Sequence, residues 1–292
     1  RQVVAIEGGF VAVIDEQPNV PPISEPPAVA DRALVVSPNG IDWQPIPPPP
    51  STVGLIAAHG EKLYVTPAGA PDAVSVTADR GETWTALEVE DPPEFIDGLD
   101  AGGAGVVLIG ADSLMWLLDD DSFEKVPTTP APFARVLVLD TGFFAWSDTS
   151  SWFSDDGRTW NEATDVPTDI HDRDTTNWGD NIYLSTWGDG IGHTSTDGGR
   201  TWNAPTMRPG EDLTVTDAGY FTVQPAVFGP TVGVVWVSSD DVDWQRVVNP
   251  WPPMWTCNPV VSGDTILIPS VIEPPAGERA HLDWVGVISS SN

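Results

Sequence analysis

Along the whole chain, short apolar runs rich in Val, Ile, Thr and Trp are cut by tight Gly- or Asp-containing turns, first in VVAIEGGFVAVID. Runs of this length bounded by turn residues predict strands joined as hairpins, and no stretch carries a convincing helical period. The hairpin pattern returns in TVGLIAAHGEKLYVT, FIDGLDAGGAGVVLIG, ARVLVLDTGFFAWS, TTNWGDNIYLSTW, LTVTDAGYFTVQ and NPVVSGDTILIPS, giving seven in all. Thirty Pro and 27 Gly fit a chain of strands and turns.

A second element falls between the hairpins. STDGGRTW ends at Trp202, TADRGETW at Trp84 and FSDDGRTW at Trp160, with shortened forms SPNGIDW and SSDDVDW ending at Trp43 and Trp244 and a worn form, LDDDSF, ending at Phe123. These six aromatic positions lie 41, 39, 37, 42 and 42 residues apart. A period near 40 marks an array of equivalent supersecondary units. Each unit then reads as four strands, the hairpin joining the first two and the acidic turn joining the last two. Four-stranded units repeated radially make a β-propeller, and seven of them use all 292 residues as one all-β domain, 1–292.

The turns match the pattern Ser/Thr-x-Asp-x-Gly-x-Thr-Trp, and the chain resembles Asp-box (BNR-repeat) β-propellers of the sialidase-like and sortilin-like superfamily over nearly its full length. That family includes sialidases, xyloglucan-cleaving enzymes, the sortilin receptor domain and a photosystem assembly factor, so the resemblance implies a fold and leaves the activity open. The turns themselves read as scaffolding. Asn39, Asp79, Asp155, Asp197 and Asp240 are expected to accept backbone N–H groups across their own turns, as Asx turns do. Trp43, Trp84, Trp160, Trp202 and Trp244 are expected to fill the wedge between units, each seeking a partner for its indole N–H. Arg80, Arg158 and Arg200 belong to the same turns and are not counted as substrate-binding residues.

Charge narrows the partners. Forty-three acidic residues against 12 basic ones leave a net charge of −31, which repels phosphate backbones and anionic lipid headgroups. Nucleic acid and membrane insertion are therefore excluded as expectations, and a cationic partner is admitted. A single cysteine, Cys257, allows no internal disulfide and no cysteine-rich metal site, so no metal or cofactor is expected. The Trp-rich repeated strands suggest an exported protein, secreted or held at the cell surface or in the periplasm.

Acidic turns on one face leave the remaining connections, many of them Pro-rich, to open on the other, where loops on a rigid scaffold carry function. The densest chemistry there is DIHDRD, with Asp169, His171, Asp172, Arg173 and Asp174, accompanied by Trp187 and Asp189, then Glu211 and Asp212. Carboxylates beside a histidine and a tryptophan could bind sugar, hold a cation or perform acid–base work; as an exposed acidic loop they would only pair locally. Trp251 and Trp255 in NPWPPMWTCNP form either a stacking platform or a plug for the channel mouth.

A sialidase comparison lacks its early Arg-Ile-Pro. Arg32, Arg135, Arg173 and Arg279 cannot be assigned to one carboxylate pocket, and Tyr64, Tyr183 and Tyr220 fall in second strands. The expectation is a noncatalytic propeller binding a glycan, peptide or protein on the face opposite the turns; the alternative is a glycoside-active enzyme using loop carboxylates. The final LDWVGVISSSN aligns best as a third strand, which would leave the last unit incomplete; the rival alignment sets LDW at Trp284 against IDW at Trp43 and VDW at Trp244 and makes it a fourth strand after an irregular third.

Overall fold

The computed structural model describes residues 2–15, 32–68, 72–147, 150–164, 166, 175–185, 191–204, 206–209, 212–216, 219–224, 234–247, 255–256, 260–262, 265–272 and 281–289, and every element among them is a strand. The first unit runs β1 (Val3–Ile6), β2 (Gly9–Asp15), β3 (Arg32–Ser37) and β4 (Gln44–Pro45), paired antiparallel in chain order. The same meander repeats as β5 (Val53–His59), β6 (Lys62–Pro67), β7 (Ala73–Thr77) and β8 (Thr85–Val89), then as β9 (Ile96–Gly102), β10 (Gly105–Gly110), β11 (Met115–Asp119) and β12 (Ser122–Lys125). These two meanders share one sheet of eight strands, because β8 and β12 pair in parallel at Glu88↔Ser122 and Val89↔Phe123.

Three separate meanders follow. They are β13 (Arg135–Val138), β14 (Phe143–Trp146), β15 (Ser151–Ser154) and β16 (Asn161–Glu162); β17 (Thr175–Trp178), β18 (Asn181–Ser185), β19 (Ile191–Ser195) and β20 (Thr206–Met207); and β21 (Asp212–Thr216), β22 (Gly219–Gln224), β23 (Val234–Ser238) and β24 (Gln245–Val247). In the last sheet, β25 (Trp255–Thr256) and β26 (Val260–Ser262) both pair with β27 (Thr265–Ile272), and β28 (His281–Ser289) pairs with β27. Among the described residues β28 has no second strand partner.

First strands lie side by side around a common axis: β1 against β5, β5 against β9, β9 against β13, β17 against β21, and β26 against both β21 and β1. Apolar clusters fill the spaces between successive sheets. Val11, Leu34 and Ile56 pack with Trp84; Leu108, Trp116 and Phe123 with Tyr64; Val107 and Phe143 with Trp160; Phe144 and Leu184 with Trp202; and Leu213 with Trp244. A sheet between two others is covered on both faces, so inner strands lose the apolar–polar alternation: β14, FFAW, is buried throughout.

The turns between third and fourth strands are closed by one recurring clasp. In the second unit Thr77 Oγ1 donates to Asp79 Oδ1 (2.7 Å), and the same carboxylate accepts Thr83 N–H (2.9 Å) and Thr83 Oγ1–H (2.6 Å). Ser195, Asp197 and Thr201 repeat it at 2.9, 2.8 and 2.7 Å. Asn39 and Asp240 make shorter versions, accepting from Ile41 and Asp42, and from Val242 and Asp243.

One residue differs from the sequence expectation. The clasping carboxylate of FSDDGRTW is Asp156, not Asp155: Asp156 accepts Ser154 Oγ–H (3.1 Å), Thr159 N–H (2.6 Å) and Thr159 Oγ1–H (3.1 Å). This turn is one residue shorter than its neighbours in the second and fifth units. The clasp is set by reach from the Ser or Thr hydroxyl two residues back, not by distance to the tryptophan. Asp155 points outward and pairs with Arg200 of the next unit.

The turn arginines reach backward to the preceding unit. Arg80 donates to the carbonyls of Glu7 and Gly8 at the β1–β2 turn, Arg158 to Asp119 (2.8 Å) and Glu124 (3.0 Å), and Arg200 to Asp155. These contacts place the hairpin turns and the clasped turns at one face. The indoles use several solutions: Trp84 donates to Pro47 O of the unit before, Trp43 and Trp160 donate within their own turns, and Trp202 and Trp244 find no partner among the described residues.

The third and fourth units also meet backbone to backbone. Ala104 N–H donates to Leu139 O (2.9 Å), and a Cβ on Gly102 would stand 2.5 Å from Val138 O, so a side chain there would push the units apart. Arg208, fully buried, joins the fifth unit to the sixth through Asp241 (2.8 and 2.5 Å), Leu184 O and Thr194 Oγ1. Ser262 on β26 closes the circuit, accepting Gly9 N–H and donating to Ile6 O, both at 3.0 Å.

Candidate functional site

The face opposite the clasped turns begins where the first strands start, and there a cavity of about 310 Å3 opens among them. It is lined from Gln2 just before β1, Leu55 on β5, Asp97, Leu99 and Asp100 on β9, and Arg135 and Val136 on β13. Two of these strands are irregular where they border it. On β9, Ile96 pairs with Gly110 and Gly98 with Ile109, so Asp97 is an extra residue in the ladder. In a regular strand, residues three apart face opposite sides; the bulge brings Asp97 and Asp100 to the same cavity. On β5 the register shifts between Val53 and Ile56, and the freed groups find side chains instead: Leu55 N–H donates to Thr66 Oγ1 (2.8 Å) and Ile56 N–H to Gln2 Oε1 (2.7 Å).

Asp100 is the most perturbed acid described. Burial pushes its carboxyl up to about 6, against the pull of N–H groups from Val138 and Ala101 and of the Arg135 charge. Its Oδ2 accepts Val138 N–H at 2.8 Å. Arg135 lies 5.8 Å from the centre of the Trp146 ring, which steadies its planar head at the rim. Asp97 is exposed, and so is Phe95, whose carbonyl accepts Ala111 N–H at 3.0 Å as β9 begins.

Comparison with solved structures decides the architecture. A structure of YCF48 bound to D1 peptide aligns over 82% of this chain and 84% of that one at 16% identity, TM-score 0.59. A GH74 enzyme from Niastella koreensis aligns over 91% of this chain and 41% of its own at 15% identity, TM-score 0.57, and the WD40 β-propeller domain of Doa1 over 91% and 87% at 12% identity, TM-score 0.52. The fold is a β-propeller. No family model matches the sequence, and no curated protein matches it. At these identities the likeness is one of architecture, and function must be read from the site.

The residues that line the propeller's cavity are not the ones the sequence singles out. Asp169, His171, Asp172, Arg173, Asp174, Trp187, Asp189, Glu211, Trp251 and Cys257 lie outside the described residues. Asp212 opens β21 and Trp255 opens β25, with their side chains outside the described set. Sequence reasoning does not single out Asp97 and Asp100, and it names Arg135 only as one of four arginines without a shared pocket. The signal it misses is the composition of IDGLDAG: two acids and three glycines or alanines in a first strand, where ARVLVL and VVAI are apolar.

A second, smaller hollow of about 220 Å3 sits on the clasped face between the second and third blades, lined by Lys62, Tyr64, Asp79, Leu87, Leu118 and Asp120. It falls where the third blade carries the worn turn around Asp120 in place of an arginine-bearing clasp. Among the described residues no group of three or more His, Cys, Asp or Glu side chains could hold a metal ion, and no helix is long and apolar enough to cross a membrane.

Proposed function

We propose that residues 1–292 form a single seven-bladed Asp-box β-propeller that binds a peptide or protein segment on the face opposite its clasped turns, without breaking a bond in it. The clasps of Asn39, Asp79, Asp156, Asp197 and Asp240 support the Asp-box reading, and strand β28 takes the third position of the seventh blade. The observation that carries the functional reading is the cavity at the start of β5, β9 and β13, opened by two ladder irregularities and lined by Asp97, Asp100, Arg135 and Gln2. Bulges beside a cavity re-aim side chains at the cost of ladder hydrogen bonds, an expense a purely structural strand avoids. The peptide bound by the YCF48 propeller lends the reading its class of ligand. The loop residues Asp169, His171, Asp172, Arg173, Asp174, Trp187, Asp189 and Glu211 would border the same face, and an exported location remains the expectation.

Panning the intact chain against a displayed library of extended peptides, with Leu55→Trp to fill the cavity, tests this. Enriched peptides that lose binding to the filled variant, with no cleavage product by mass spectrometry, are the expected result. Peptides that bind both proteins equally would overturn the placement. Turnover of aryl glycosides abolished by Asp97→Asn or Asp100→Asn would overturn the noncatalytic reading in favour of a glycoside-active enzyme.

A further inference from the structure

Charge in the cavity is unbalanced. Two carboxylates, Asp97 and Asp100, share it with one guanidinium, that of Arg135. Arg135 has Trp146 as a ring neighbour and lends its charge to Asp100. Asp97 has no hydrogen bond or ion pair among the described residues, although the bulge delivers it to the cavity wall. Two residues before it, just ahead of β9, Phe95 is 55% exposed and has no ring or cation contact among the described residues. An unpaired carboxylate on a cavity with aliphatic walls at Leu55 and Leu99, with an exposed aromatic ring two residues before it in the chain, suits one kind of group: a cation on an apolar stem. The surrounding charge of −31 raises the local concentration of such a group.

We propose that the cavity receives a single basic side chain, arginine or lysine, from an extended segment of the partner, with its charged head at Asp97 and Asp100 and its stem along Leu55 and Leu99. This rests on the binding reading above and names the ligand chemistry for it. The Arg135 charge favours the ionised form of Asp100 against the larger effect of its burial, and Gln2, already engaged with Ile56 N–H, fixes the wall between the first two blades. Phe95 adds its ring face to the cation at the rim.

The test uses a fluorescein-labelled, end-capped octapeptide of Gly, Ser and Val with Arg, Lys, Gln or Glu at its centre, followed by fluorescence anisotropy on the intact chain. Binding of the Arg and Lys peptides at least tenfold tighter than the Gln peptide, reduced about tenfold by Asp97→Asn and less by Phe95→Ala, is expected. Asp42→Asn, a change of the same charge on the clasped face, should leave it unaltered. Equal loss from Asp42→Asn and Asp97→Asn would show a diffuse surface field and overturn the site. Preference for the Glu peptide, lost in Arg135→Gln, would overturn the choice of cation while leaving the peptide-binding reading standing. Spermine competing as well as the Arg peptide at equal concentration would overturn the peptide source in favour of a free polyamine.

Discussion

The carboxylate of Asp100 on β9 accepts the backbone N–H of Val138 on β13 at 2.8 Å, joining two strands that share no backbone ladder. Asn177 on β17 donates to the carbonyl of the same Val138 at 3.4 Å, so one residue of the fourth blade is held from both sides. Side chains thus add to the few backbone cross-bonds between separate sheets, such as that of Ala104 N–H to Leu139 O.

Asp100 makes stability depend on pH near neutrality. Its folded value of about 6 stands above that of an unfolded aspartate, so the ionised form costs stability above pH 6 and the fold gains as pH falls from about 6 toward 4. Asp100→Asn keeps an acceptor for Val138 N–H and removes the charge. Urea unfolding at pH 7 should show the variant equal to or more stable than the parent by about 1–3 kcal/mol, with the difference vanishing by about pH 4.5.

Asp79 and Asp156 act in the opposite direction. Hydrogen bonds from the Thr83 hydroxyl and N–H, with Thr77, hold Asp79 down at about 2, and the Thr159 and Arg158 N–H groups do the same for Asp156. Their contribution is complete above the unfolded aspartate value and is lost as pH falls from about 4 to 2. The double variant Asp79→Asn, Asp156→Asn gives both turns the amide that Asn39 already uses in the first unit. It should flatten that acid limb in thermal melts from about pH 2 to 5.

Asp155 and Asp156 are adjacent acids with different work. Asp156→Ala strips the acceptor from four donors and should cost about 1–2 kcal/mol, whereas Asp155→Ala removes an exposed ion pair and should cost under about 0.5 kcal/mol. Equal losses in denaturant melts would contradict the assignment of the clasp.

Arg208 and Asp241 form the one buried ion pair among the described residues. Asp241→Ala leaves a desolvated guanidinium and should destabilise by about 3–5 kcal/mol, while Arg208→Met with Asp241→Leu should recover much of that. The pair is best compared by a double-mutant cycle.

Ser262→Ala removes both bonds that tie β26 to the β1–β2 turn. An expected loss of about 1–2 kcal/mol should come with faster amide exchange at Gly9, while exchange at Val136 and Leu137, across the ring, stays unchanged.

The strand repeat was legible because it is written in composition: hairpins such as ARVLVLDTGFFAWS and NIYLS recur, and β13–β14 and β18 form where they stand. The clasp register was not, since counting back from Trp160 assumes a turn of constant length, and Ser154 shows that the hydroxyl sets the anchor. The cavity was hidden for a different reason. Asp97 and Asp100 lie three apart, a spacing that reads as opposite faces until the bulge is known, and Arg135 comes from another blade 35 residues beyond Asp100. Bulges depend on pairing partners, and no single strand announces its own.

The clasps and the bulged cavity sit at opposite ends of the same short strands. The clasps, the backward-reaching arginines and Ser262 gather on one face, whereas Asp97, Asp100 and Arg135 open on the other. If the bulged rim binds as proposed, Asp97 is free to vary without disturbing any rivet, whereas Asp100, which also bonds Val138, ties the choice of visitor to the seam between the third and fourth blades.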